Sequence, residues 1–174
     1  MSNLSFQSQD CEITLSDGLE EYRAYLRANG KKQLTDAPGS QVIRDHDATH
    51  VIFGLDTSIE QESMLDSWVL SATSWKLKQL LAYNQLPELK QLTKDFRNDP
   101  GYLRLILTAV KLIPIKLKIW KRSKQMNKKW PFASPDHLMD QRICDLRKEY
   151  GIKILTPDER KVKKPLIWSG TIKN

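Results

Sequence analysis

Residues 46–62 constrain the fold more than any other stretch of this chain. His46 and His50 stand four positions apart with Asp47 between them, and Glu62 follows His50 after eleven intervening residues. At about 100° per residue, His46, Asp47 and His50 fall within roughly 100° of arc on one helix face. Gly54 suits the positive φ that closes a helix. Ser58 with Gln61 three residues later reads as a capping box that opens the next helix. The turn between them is Leu55-Asp56-Thr57. His50 then lies about one turn before the corner and Glu62 about one turn after it. An antiparallel αα-hairpin brings both onto facing surfaces. Imidazole and carboxylate are the usual ligands for divalent metals, so His46, Asp47, His50 and Glu62 form a candidate metal site. An Asp-His-Asp run is also what a solvated helix face looks like; with the turn chemistry and the distant Glu62 the two readings stand level.

The rest of the chain carries helical periodicity without β alternation, and the expected class is all-α, a single helical bundle over 1–153 with a basic tail over 154–174. Asp17 with Glu20 predicts the start of a first helix running to about Ala28, stopped by Gly30. Pro38-Gly39-Ser40 predicts a turn. The motif helix is expected over 40–53 and a long helix over 58–83. Pro87 opens a short helix to about Phe96, and Asn98-Asp99-Pro100-Gly101 is a turn. A helix over 102–127 is expected to break at Pro114. Ser134-Pro135 predicts the cap of a last helix to about Glu149, stopped by Gly151. The tail reads as irregular, with Leu166-Ile167-Trp168 as its apolar patch.

A chain of 174 residues with 40% hydrophobic content is long enough to bury a core. Cys11 and Cys144 have no Cys-x-x-Cys spacing and read as unrelated thiols in a reducing compartment. The N-terminus lacks the basic start and apolar run of a secretory signal, so the expectation is a cytoplasmic protein. No Gly-rich phosphate loop or Gly-x-Ser-x-Gly elbow is present. Charge is unevenly spread: residues 1–100 carry 10 basic and 15 acidic side chains, whereas 101–174 carry 18 basic and 6 acidic. Such asymmetry points the C-terminal half toward an anionic partner.

Lys111, Lys116, Lys118, Lys121, Arg122 and Lys124 belong to a segment, 111–129, with eight basic residues and no acidic one. Leu103, Ile106, Leu107, Val110, Leu117 and Trp120 recur beside them at helical spacing. Three readings fit: a core-facing stripe with a solvated basic back, an amphipathic helix for an anionic membrane surface or prenyl phosphate, and a nucleic-acid binder. No helix-turn-helix, zinc finger or RNA-binding signature accompanies the charge, so no nucleic acid is expected. The apolar run is too short to span a bilayer.

The motif resembles the signature of the fourth coenzyme Q (ubiquinone) biosynthesis protein family, with His46, Asp47, His50, Gly54 and Glu62 at the family's spacing. Trp130 and the later Leu146-Arg147-Lys148-Glu149-Tyr150-Gly151-Ile152 add a weaker similarity, so the resemblance covers roughly residues 40–153. Gln61 stands where members often carry Gly, and the tail has no family counterpart. The resemblance implies a helical protein, peripheral to the inner or plasma membrane, with one divalent metal. It implies action on polyprenylated benzenoid intermediates, by removal of the ring C1 carboxylate with hydroxylation at that carbon. Some members are instead described as scaffolds for other quinone-biosynthesis proteins.

Two functions therefore lead. One is a metal-dependent oxidative decarboxylase of a polyprenylated hydroxybenzoate, with Asp47 or Glu62 available for proton transfer. The other is a non-catalytic scaffold that holds isoprenoid lipid. The His-His-carboxylate set suits Zn²⁺ best, with Fe²⁺ or Mg²⁺ compatible. A homodimer is left open. A zincin-like hydrolase ranks lower, because Asp47 is shorter than the protease glutamate and no third protease-type ligand is evident. His137, the remaining histidine, reads as an ordinary first-turn residue.

Overall fold

The computed structural model describes residues 4–29, 40–76, 102–134 and 136–163. The turns expected at 38–40 and 98–101, the stop at Gly30, the second half of the 58–83 helix, the 87–96 helix and the 164–174 part of the tail lie outside them, wholly or in part. Among the described residues the class is all-α: there is no strand, only isolated bridges between Thr14 and Arg142 and between Thr73 and Trp130.

Helix α1 spans Leu15–Ala28 and buries Leu15, Gly18, Leu19 and Tyr22, one stripe at helical spacing. Its cap is Thr14, three residues before Asp17, and this corrects the expected start. Thr14 Oγ1 accepts from the Asp17 N–H at 3.1 Å and donates to the Asp17 carboxylate at 2.7 Å. Helix α2, Ser40–Phe53, has the expected bounds. Gly54 ends it at φ +69°. Helix α3, Ile59–Ala72, is capped by the Ser58 hydroxyl. The expected box is only half made: Gln61 accepts from the Asp56 N–H at 2.9 Å instead of returning to Ser58.

Helix α4, Tyr102–Lys111, and helix α5, Ile113–Ser123, meet at Leu112, with Pro114 in the first turn of α5. Proline there lacks an N–H that would have no intrahelical partner anyway. Helix α5 lies along α3 in the most extensive helix–helix contact, while α1 packs on α2 and α2 on α3. Helix α6 is Ile143–Tyr150, ended by Gly151 at φ +70°. The single helix expected from Ser134 to Glu149 is thus replaced by a 3₁₀ turn, Asp136–Leu138, and a later start. The cause is competition for backbone groups. Carbonyls of Met139 and Gln141 accept from the N–H groups of Ser16 and Leu15, both at 2.9 Å. In return, Ile13 and Cys11 carbonyls accept from Ile143 and Cys144 at 3.0 and 2.9 Å. Two helix N-termini satisfy their orphan donors on each other's leader segment.

The tail does not begin at 154. Ile154 and Leu155 are buried in the same cluster as Phe6, Leu15, Phe53, Trp68 and Trp130. A short helix α7, Pro157–Arg160, follows, with a complete capping box between Thr156 and Glu159. Arg147, wholly buried, joins the layers. Its guanidinium donates to the carbonyls of Val51 and Ile52 at the end of α2, both at 2.9 Å. It also donates to Phe6 at 2.6 Å, Gln9 at 3.4 Å, and Ser8. Burial pushes its pKa down to about 10.

Candidate metal centre

The hairpin of α2 and α3 brings one ligand atom each of His46, His50 and Glu62 within 4.8 Å of one another. His46 and His50 come from successive turns of α2, their rings edge to face with centroids 4.9 Å apart. Glu62 stands in the first turn of α3, across the Gly54 corner. The positive φ of Gly54 is what lets the chain reverse so sharply.

His50 is completely buried and its two nitrogens are set apart by their partners. Nδ1 lies 3.3 Å from the Leu55 carbonyl. A carbonyl only accepts, so Nδ1 carries the hydrogen and Nε2 is directed at Glu62. The Nε2–Oε1 distance of 3.4 Å is long for a charge-assisted bond, and Nε2 makes no hydrogen bond of good geometry. A buried nitrogen with its other face tied to a carbonyl is how metal-ligating histidines are held. Tyr22 of α1 stacks on the His50 ring at 4.8 Å and fixes its plane.

The electrostatics suit a cation. Burial lowers the His46 pKa to about 4, with His50 adding to the effect, so His46 is a neutral imidazole at physiological pH. For His50 burial acts downward, but Glu62, Asp47 and the Leu55 carbonyl together raise its pKa. Burial raises the Asp47 carboxyl to about 6 against the pull of His50 and Arg23. Asp47 is not among the converging ligand atoms, a departure from the expected four-residue set. One residue on from His46, its side chain is turned about 100° round the helix, where the charge of Arg23 on α1 also acts on it. His137 is exposed in the 3₁₀ turn, away from this group.

A groove of about 640 Å³ lies between α3 and α5, lined by Ser67, Leu70, Ser71, Ile113, Leu117 and Trp120 with Lys116, Lys124 and Lys129. Glu62, Asp66 and Leu70 follow one another at four-residue steps, so the metal cluster and the groove share a face of α3, about 12 Å apart along it. Lys116 acts electrostatically on Asp66 between them.

The six basic residues divide. Lys118 binds Glu159 at 2.7 Å, and Arg122 binds Glu159 at 3.1 Å and the Ile154 carbonyl at 2.8 Å. These two clamp α7 to α5 and are not a free cationic surface. Lys111, Lys121 and Lys124 are exposed, the last over the Trp120 ring, and Lys116 is half-buried in the groove. The core-facing reading of the apolar stripe is also corrected: Leu103, Ile106, Leu107, Val110, Ile113, Leu117 and Trp120 are exposed, while Leu112 and Ile119 are buried and Ile115 packs against the core. No described helix is long and apolar enough to cross a membrane.

Tyr22, the Leu55 carbonyl and Asp66 escaped the sequence reading as parts of the site. Tyr22 had a signal, its place seven residues after Leu15 on the buried stripe of α1; a main-chain carbonyl has none. No family model, curated protein or solved structure matches the chain.

Proposed function

We propose that this chain is a divalent-metal protein of quinone biosynthesis that acts on polyprenylated benzenoid intermediates at a membrane surface. The observation that carries the reading is the convergence of His46, His50 and Glu62, with buried His50 Nε2 turned toward Glu62 and its Nδ1 tied back to Leu55. The motif's resemblance to the fourth coenzyme Q biosynthesis protein family supplies the substrate class. A bound Zn²⁺, Fe²⁺ or Mg²⁺ would act as a Lewis acid on a ring carboxylate or phenolate. Tyr22 and Leu55 hold His50 in one orientation and tautomer. Asp47, with a carboxyl raised to about 6, is poised to take or give a proton beside the site. The apolar groove on the same face of α3 suits an isoprenoid chain, and Lys116 suits the acidic head. The family-implied outcome is loss of the ring C1 carboxylate with hydroxylation of that carbon.

The exposed ridge from Leu103 to Trp120, bordered by Lys111, Lys121 and Lys124, supports peripheral binding to an anionic inner or plasma membrane. The same ridge favours the second reading, a scaffold that holds prenyl lipid and docks other quinone-biosynthesis proteins without turnover.

The test is elemental analysis by mass spectrometry of chelator-free protein beside Glu62→Ala, His46→Ala and His137→Ala. About one divalent metal per chain is expected, lost in the first two variants and kept in the third. Metal-loaded protein is then given a prenylated 4-hydroxybenzoate. Turnover that depends on His46 and Glu62 supports the enzyme; metal and lipid binding without turnover leaves the scaffold. Equal occupancy in all variants removes the site.

A further inference from the structure

We propose that Cys11 and Cys144, remote in sequence, are a redox pair that closes to a disulfide when a small-molecule disulfide such as oxidised glutathione is the electron acceptor. The Cys144 N–H donates to the Cys11 carbonyl at 2.9 Å, and the neighbouring Ile143 N–H donates to Ile13 at 3.0 Å. This main-chain hydrogen bond puts the two backbones in direct contact, on the scale of the Cα separation of about 4.4–6.8 Å that a disulfide spans. Both cysteines are free. Each thiol lies within electrostatic reach of the other and of the Arg147 guanidinium.

The two thiols differ in access, and that sets the order of events. Cys144 is partly exposed in the first turn of α6, whereas Cys11 is buried and its thiol is raised by that burial. Thiolate attack requires access, which Cys144 has and Cys11 lacks. The Cys144 sulfur attacks the small disulfide, forms a mixed disulfide and releases one thiol. The Cys11 sulfur then attacks the Cys144 sulfur and expels the second. The protein loses two electrons and two protons, and the small disulfide gains both as two thiols. The new bond staples the N-terminal segment, which Arg147 already holds through Phe6, Ser8 and Gln9, onto the start of α6.

The experiment incubates the full chain, folded, across graded ratios of oxidised to reduced glutathione, then alkylates and maps it by mass spectrometry. The expected result is joint loss of both free thiols, a mass lower by two hydrogens, a single Cys11–Cys144 cross-linked peptide, and a higher unfolding midpoint that reductant reverses. Cys11→Ser should stop at a glutathionyl group on Cys144. Cys144→Ser should leave Cys11 unmodified in the folded chain. Two thiols that stay free at the most oxidising ratio would overturn the proposal. So would a stable mixed disulfide on wild-type Cys144, or a link that forms only after denaturation.

Discussion

Replacing Arg147 with Met should cost this protein about 2–5 kcal/mol. Met fills a similar volume but brings no donor. Among the five carbonyls Arg147 serves, Val51 keeps the Gly54 N–H at 3.2 Å, and the Gln9 bond is already long at 3.4 Å. The carbonyls of Phe6, Ser8 and Ile52 depend on it most. Each buried carbonyl left unsatisfied costs about 1–3 kcal/mol, so the gross loss is about 3–9 kcal/mol. Relief from burying a guanidinium returns several kcal/mol. The net is a large share of the roughly 5–15 kcal/mol that holds an ordinary domain together. Urea unfolding followed by circular dichroism reads the change; with a slope of about 2 kcal/mol/M the midpoint should fall by roughly 1–2.5 M. Arg147→Lys should lose nearly as much, because one ammonium cannot span carbonyls on both the N-terminal segment and the end of α2. A loss below about 1 kcal/mol in the Met variant would refute the assignment of Arg147 as the structural joint.

Three further outcomes follow from other parts of the fold. Gly54→Ala should destabilise by about 1–2 kcal/mol for the positive φ alone, and more because the new Cβ would sit 2.9 Å from Ile154 Cδ1; thermal unfolding measures it. Burial acts to raise the Glu159 carboxyl, but Lys118, the Thr156 N–H and Arg122 carry it down to about 2. A depressed carboxyl stabilises above its ordinary value of 4.5 and loses that contribution as pH falls toward 2. Glu159→Gln should therefore be less stable by about 1 kcal/mol at neutral pH, with the two stability curves converging near pH 2; curves that stay parallel would contradict the clamp. Replacing Lys116, Lys121 and Lys124 with Gln should weaken sedimentation with anionic liposomes by about 100-fold, at about 1 kcal/mol per lysine lost, and unchanged binding would remove the membrane face.

The hairpin was legible because its signals are local. The four-residue His spacing, Gly54 and the Ser58 cap each act within a turn or two, and α2 and the start of α3 follow from them. The metal set was legible to the same degree: His46, His50 and Glu62 converge, while Asp47 is turned aside by a rotation that the spacing already contained. What escaped was set by distant chain. The break before Ile143 exists because Leu15 and Ser16 claim the carbonyls of 139 and 141. The Thr14 cap outcompetes Asp17 because the same crossing fixes its place. The apolar stripe on α4 and α5 stayed open between core and an exposed amphipathic face, because periodicity reports that a face is apolar and not what covers it. Cys11 and Cys144 were separated by sequence distance and joined by that same crossing.

The mutual capping of α1 and α6 also bears on how the chain is made. Synthesis runs from the N-terminus, so α1 is complete long before residues 139–141 exist to receive its first N–H groups. Until then its start is held by Thr14 alone. Helix α6, in turn, cannot be capped unless residues 11–13 are still available when it emerges. Both ends therefore lock in one late, long-range event, and contacts of such separation are slow to form. A nascent chain of this protein leaves its first helix incompletely capped until residues 139–144 emerge, and a truncation before residue 139 should strip order from α1.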